Sequence, residues 1–232
     1  MPPYAAESVW KGWSPATCLP DDCFCEAIRE GVVRQPANAW SSLGFVIVAL
    51  WIVLRLRQSG PVRAVLSAAE AWLFVCSLFL LGLGSALYHA SLTFAGQVLD
   101  VAGMYFVATF ILLHRLAPRF HLPPAPSVVL FVLGNAALMT AQVTTPSLRR
   151  VVFSALLVTA LVVEWRFSAG RKWLAAGAFL MALAVVIWAL DRERVVCSPH
   201  SVLQGHALWH FLSAIAAVCL FRSYEQASPN KT

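Results

Sequence analysis

The feature that most constrains this chain is the recurrence of long apolar runs along its whole length. A helix that crosses the hydrocarbon core of a membrane needs about 20 mostly apolar residues. Runs of about that length cover residues 38–56, 65–89, 97–114, 126–143, 149–167, 172–190 and 201–221. Membrane barrels would show shorter segments of alternating hydrophobicity. The runs therefore predict an all-α polytopic membrane protein with a bundle of seven transmembrane helices.

The bundle accounts for most of the chain. We expect residues 1–37 to form an extracytoplasmic N-terminal segment, residues 38–221 the seven-helix domain, and residues 222–232 a cytoplasmic tail. No cleavable signal peptide is expected, because residues 1–36 lack a continuous apolar core after a basic start. The net charge of +6 does not indicate nucleic-acid binding, since that would need a basic face on a soluble domain.

Lysine and arginine predict the orientation of the bundle. Ten of them fall in the loops after helices 1, 3 and 5 and in the tail, against seven on the opposite side. Cytoplasmic loops carry an excess of these residues in membrane proteins. The count predicts an N-terminus outside the cytoplasm and a C-terminus inside it.

Five polar residues in the apolar runs share one predicted depth, toward the extracytoplasmic side: Ser85, His89, Asp100, His206 and His210. Ser85 with His89, and His206 with His210, have the i,i+4 spacing that places two side chains on one helix face. Ionisable groups are costly inside a membrane and mark functional sites there. Three imidazoles are a common protein contribution to a catalytic zinc site, which keeps a fourth position open.

The plainer interpretation is that these side chains only hydrogen-bond between helices, as polar residues in membrane bundles often do. That interpretation explains any single histidine well. It explains less well why three separate segments supply polar groups at one depth. We therefore favour a metal site formed by His89, His206 and His210.

Three motifs resemble the alkaline ceramidase family: residues 82–89 (GLGSALYH), 97–100 (QVLD) and 206–210 (HALWH). That family belongs to a superfamily of seven-helix membrane hydrolases that includes the adiponectin receptors and Per1-like proteins. The resemblance implies a zinc-dependent ceramidase that cleaves ceramide, or a related N-acyl lipid, to a sphingoid base and a free fatty acid. Carried over to this chain, it implies zinc ligands at His89, His206 and His210, with Ser85 and Asp100 in the active site.

The implied chemistry is consistent with these residue types. Zinc lowers the pKa of a bound water to about 7 and polarises a carbonyl group. Asp100 would take the proton of the water and pass it to the leaving amine, while Ser85 would donate a hydrogen bond to the developing oxyanion. A receptor-like or scaffolding membrane protein with a mainly structural zinc is the alternative. A metal-ion transporter fits less well, because helices 4 to 6 offer few polar residues. No protein partner is expected.

The N-terminal segment resembles the calcium-binding stretch of the family. The resemblance implies a calcium site formed by Asp22, Glu26, Gln35 and the carbonyl group of Phe24. Calcium prefers six to eight oxygen ligands, several of them carboxylates. Gln35 stands where the family has a glutamate, and the spacing is two residues shorter. A solvated acidic stretch is the alternative.

Four cysteines fall on the predicted extracytoplasmic side: Cys18, Cys23, Cys25 and Cys197. Disulfides persist in oxidising compartments. We expect a Cys25–Cys197 disulfide that ties the N-terminal segment to the loop before helix 7. Pairing of Cys18 or Cys23 with Cys197 remains open, because connectivity does not follow from sequence.

Overall fold

The structure, a computed structural model, describes residues 9–19, 23–58, 66–168 and 170–226. These residues form seven long helices and no strands: α1 (Pro36–Gln58), α2 (Ala68–Ser91), α3 (Phe94–Leu116), α4 (Pro124–Thr144), α5 (Arg149–Phe167), α6 (Arg171–Arg192) and α7 (Gly205–Gln226). All seven are long and apolar enough to cross a membrane. The predicted all-α, seven-helix fold is confirmed, and the chain is an integral, multi-pass membrane protein. The orientation of its termini stays a prediction.

The break between α2 and α3 carries no charge and is the least marked in the sequence. In the structure Leu92 adopts a left-handed conformation, with φ of 48°, and ends α2. The Thr93 side chain then accepts a hydrogen bond from the Gly96 backbone and caps α3. A Cβ atom at Gly84 would overlap the Leu99 carbonyl group. The glycine therefore lets α2 and α3 approach closely enough to bring Ser85 and Asp100 to one site.

The last helix begins and ends later than the apolar run predicts. Residues 201–204 precede α7, and the Gln204 side chain donates hydrogen bonds to the carbonyl groups of Ser198 and Ser201 in that turn. Because α7 begins at Gly205 and ends at Gln226, His206 lies in its first turn and residues 222–226 are helical. We call the end of the bundle where α2 ends and α7 begins the histidine end.

The helices divide into a packed group and a peripheral group. α2 packs against α1 and α3, and α7 packs against α1 and α6. α5 packs mainly on α3 and touches α6 only sparsely. Only 6% of the apolar window of α5 is buried, against 67% of that of α7. The sparse contact leaves a gap between α5 and α6 beside the interior of the bundle.

The N-terminal segment lies over the histidine end. The Ala16 amide donates a hydrogen bond to the Leu92 carbonyl group (2.9 Å), and the Gln35 amide donates one to the His89 carbonyl group (3.0 Å). Two disulfides hold the segment, one between Cys18 and Cys23 and one between Cys25 and Cys197. The second links positions 172 residues apart, and it is the pairing expected from the sequence.

Candidate metal centre

The three predicted histidines meet at the histidine end. His89 lies in the last turn of α2, and His206 and His210 lie on one face of α7. All three are buried, with exposed fractions of 0%, 5% and 3%. One ring nitrogen from each lies within 4.8 Å of the others, so the cluster can hold a metal ion.

Two of the ligand nitrogens have nearly the spacing found around a small tetrahedral ion. The Nε2 atoms of His89 and His206 are 3.1 Å apart. With Zn–N bonds of about 2.0–2.1 Å, two ligand nitrogens of a tetrahedral site lie about 3.3 Å apart. The His89–His206 pair therefore has nearly the spacing that two ligands of such an ion need, and the ligand nitrogens of the whole cluster lie within 4.8 Å of one another.

Hydrogen bonds to the Nδ1 atoms of His89 and His210 determine the tautomers of these two rings. Gln35 Oε1 lies 3.0 Å from His89 Nδ1, and a carbonyl oxygen can only accept. Ser41 Oγ lies 2.8 Å from His210 Nδ1 and donates its own proton to the Asn38 carbonyl group, so it accepts from the ring. Both rings thus carry the proton on Nδ1 and leave the Nε2 lone pair for a ligand. Partners of this kind orient metal-binding histidines.

His206 is held differently. Its ring stacks on Phe24 with centroids 3.8 Å apart, and its Nδ1 atom is buried without a hydrogen-bond partner among the described residues. Its backbone amide donates to Asp191 Oδ1 (3.1 Å), while Asp191 Oδ2 accepts from the Cys25 amide (3.2 Å). Asp191 therefore joins α6, α7 and the disulfide-bonded segment beside the metal centre.

Ser85 and Asp100 lie next to the cluster, as the sequence predicts. Ser85 Oγ is 3.4 Å from His210 Nε2 and accepts a hydrogen bond from Ser42 Oγ at 3.1 Å. Asp100 lies near Ser85 in the lining of the same cavity. A hydroxyl donor and a carboxylate therefore sit beside the position that a metal would occupy.

A cavity of about 570 Å³ extends from this site into the bundle. Its polar end contains Ser85, Asp100, His206 and His210. Beyond them the lining is mainly apolar and comes from both sides of the gap between α5 and α6, including Phe153, Leu157, Leu161, Met181 and Val185. Sites for apolar ligands commonly combine an apolar wall with a few convergent polar groups.

Two of the residues predicted to bind calcium, Glu26 and Gln35, make other contacts in the structure. Both carboxylate oxygens of Glu26 accept backbone hydrogen bonds at the start of α1, from Ala37 (2.8 Å) and Asn38 (2.9 Å). Gln35 faces His89 and donates from Nε2 to the Glu26 carbonyl group (3.0 Å). Asp22 lies outside the described residues, and the described histidines, cysteines and acidic residues form no second metal cluster. The calcium site stays a prediction.

Three contacts of the site were not predicted from the sequence. They are the hydrogen bonds of Gln35 with His89, of Ser41 with His210, and of Asp191 with the His206 backbone. The contact of Ser41 could have been suspected from the sequence. Ser41 and Ser42 place two hydroxyl groups near the start of an otherwise apolar run, at the predicted depth of the histidines. Nothing local marks Asp191, which the sequence places in a charged loop.

The fold and the site define a class: an integral membrane protein with a buried three-histidine centre that can hold a metal at the polar end of an apolar cavity. The family model described as Ceramidase matches residues 24–228. The chain therefore belongs to the ceramidase family, which confirms the resemblance read from its motifs. Membership makes it a ceramidase-like hydrolase that acts on amide bonds, and implies a lipid substrate. No curated protein matches the chain significantly.

Proposed function

We propose that the protein is a zinc-dependent intramembrane amidase that hydrolyses ceramide or a related N-acyl lipid. The observation that carries the proposal is the arrangement of His89 and His210. Each has its Nδ1 atom tied to an acceptor, so that its Nε2 lone pair is free for a metal. Ser85 and Asp100 lie beside them at the polar end of an apolar cavity.

The three histidines would hold the zinc ion. When bound, zinc supplies a water of lowered pKa and Lewis acidity toward an amide carbonyl group. The donor set agrees with this ion, since neutral imidazole suits zinc better than it suits calcium or magnesium.

The neighbouring residues would move the protons and hold the substrate. Asp100 takes a proton from the attacking water, whose oxygen adds to the amide carbon. Ser85 donates its hydroxyl proton in a hydrogen bond to the carbonyl oxygen as negative charge develops there. Ser42 positions Ser85 by donating to its oxygen. Asp100 then gives the proton to the amine nitrogen as the carbon–nitrogen bond breaks, releasing a fatty acid and a free amine.

The shape of the cavity supports a lipid as substrate. An acyl chain would lie along the apolar lining, with its amide at the polar end. The gap between α5 and α6 offers a lateral path from the membrane. We place the site on the extracytoplasmic side, because the lysine and arginine count predicts that orientation and two disulfides lie at the histidine end.

The test is hydrolysis of palmitoyl ceramide by the purified, zinc-loaded protein in detergent micelles, with fatty acid measured as product. We expect about one zinc per chain and steady fatty acid release. His206→Ala should lose most of both. Thr140→Ala is the matched control, since its hydroxyl bonds only to its own helix (Ala136 carbonyl group, 3.0 Å). Zinc-loaded protein that releases no fatty acid from N-acyl lipids would overturn the proposal and favour a receptor-like or scaffolding role.

A further inference from the structure

Three arginines line the cavity at the histidine end. Arg149 and Arg150 open α5, and Arg192 ends α6, so the three come from both sides of the gap between these helices. Asp100 is the carboxylate that lines the same end. This mouth of the cavity, defined by the three arginines and Asp100, thus has more positive than negative side chains.

Two of the mouth arginines have contacts with uncharged side chains. Arg149 Nη1 donates to Gln97 Oε1 at 3.1 Å, and the Arg192 guanidinium lies 5.7 Å from the Trp188 ring centroid. Within the described part of the chain none of the three forms an ion pair with a carboxylate. The mouth therefore carries three guanidinium groups that no described carboxylate neutralises in an ion pair.

The other end of the cavity shows a contrasting arrangement. There the buried Glu164 carboxylate pairs with Arg115 at 2.6 Å. Glu164 is separated from Arg149 by fifteen positions of α5, or about 22 Å at 1.5 Å per residue. The cavity lining thus holds a paired carboxylate at one end, and three arginines with one carboxylate at the end where the amide would be cleaved.

The position of α5 adds to the imbalance. Its first turn holds Arg149 and Arg150 and no acidic residue. Positive charge at a helix N-terminus is unfavourable, because the helix dipole already places partial positive charge there. An anion between the two helices would relieve both this repulsion and the repulsion among the guanidinium groups.

We propose that the mouth arginines bind the phosphate of a phosphorylated head group, so that the preferred substrate is an N-acyl lipid carrying a phosphate on its head. This inference rests on the proposed amidase function and specifies its substrate class. Guanidinium groups suit phosphate because they form paired, charge-assisted hydrogen bonds with it. Arg149 also lies within electrostatic range of Asp100, which places a bound head group next to the reacting amide.

The first experiment compares palmitoyl ceramide with palmitoyl ceramide 1-phosphate in zwitterionic micelles. We expect kcat/KM of the wild type to favour the phosphorylated lipid by about tenfold or more, as the loss of charge-assisted hydrogen bonds implies. The ratio should fall by about tenfold in Arg150→Gln/Arg192→Gln. The matched control is Arg57→Gln/Arg171→Gln, which removes two exposed arginines at the opposite end and should keep the wild-type ratio.

The second experiment measures binding and does not depend on turnover. Fluorescent forms of the two lipids are titrated onto Asp100→Asn protein with and without the two mouth substitutions. Tighter binding of the phosphorylated lipid that requires the arginines supports the inference even if neither lipid is hydrolysed, in which case only the amidase proposal fails. Equal binding of the two lipids, or a preference that survives the mouth substitutions, overturns it. The inference is also overturned if phosphatidylglycerol competes equally strongly for this binding site, because the arginines would then bind bulk membrane lipid.

Discussion

Gln35 connects the N-terminal segment to the metal centre through its two side-chain atoms. Its Oε1 accepts from His89 Nδ1 (3.0 Å), and its Nε2 donates to the Glu26 carbonyl group (3.0 Å). The residue is fully buried, with 0% of its surface exposed. Gln35→Met keeps the approximate volume and removes both hydrogen bonds, whereas Gln35→Glu keeps an acceptor for His89 and removes only the donor.

The two substitutions should separate metal binding from stability. Loss of a partner that orients a ligand histidine costs about 10–100-fold in metal affinity, which is about 1.4–2.8 kcal/mol. We expect that loss in Gln35→Met and wild-type or tighter zinc binding in Gln35→Glu, since a charged acceptor strengthens the bond to His89. Both variants leave the Glu26 carbonyl group without this donor, at a cost of about 1–3 kcal/mol of stability.

The assay is a zinc titration against a chelator of known affinity, with a thermal melt of each metal-free protein. Gln142→Met is the matched control, because Gln142 is also a buried glutamine but bonds to the Val98 carbonyl group and to no histidine. It should lose stability and keep its zinc affinity. Wild-type zinc affinity in Gln35→Met, or equal losses in Gln35→Met and Gln35→Glu, would refute the role of Gln35 as an acceptor for His89.

Three further predictions concern the catalytic base, the disulfide and the start of α1. Asp100→Asn should keep its zinc and lose about 10²–10⁴-fold in kcat, since an amide cannot accept the proton of the water; near-wild-type turnover would remove Asp100 from the mechanism. Cys25→Ser/Cys197→Ser should lower stability by about 2–4 kcal/mol, measured by thermal melts, while peptide mapping without reductant should recover the Cys25–Cys197 pair from the wild type and no free Cys197 thiol. Burial raises the pKa of Glu26 above 4.5, although the backbone hydrogen bonds from Asn38 and Ala37 oppose the shift. A carboxyl group whose pKa is higher in the folded protein favours folding at low pH, and this contribution is lost as the pH rises from about 4.5 through the folded-state pKa. The melting temperature of the wild type relative to Glu26→Gln should therefore fall over that interval, and a difference that rises with pH would contradict the assignment.

The seven helices could be predicted from sequence because their cause is local. A single segment in hydrocarbon must satisfy its backbone hydrogen bonds internally, so an apolar run of sufficient length forms a helix. Helix ends were less well predicted, because they depend on single conformations such as the left-handed Leu92 and on caps such as Thr93. The same holds for the start of α7 at Gly205, which follows a turn closed by the Gln204 side chain.

The central site residues were also visible in the sequence. The i,i+4 pairs Ser85–His89 and His206–His210 follow from helix geometry alone, and polar groups in apolar runs are costly enough to stand out. Their common depth, together with that of Asp100, follows from counting helices that cross the membrane in alternate directions. The structure brings all five together around one end of the cavity.

The supporting contacts were decided only by the tertiary structure. Gln35 reaches His89 across 54 positions, Ser41 reaches His210 across 169, and Asp191 reaches the Cys25 amide across 166. The mouth arginines likewise come together from the ends of two helices that hardly touch each other. The sequence by itself determined which segments cross the membrane and which polar groups they carry, because both follow from short-range geometry and the cost of polar groups in hydrocarbon. Which side chain meets which depends on how the helices rotate and pack against one another, and no local pattern in a single sequence records that.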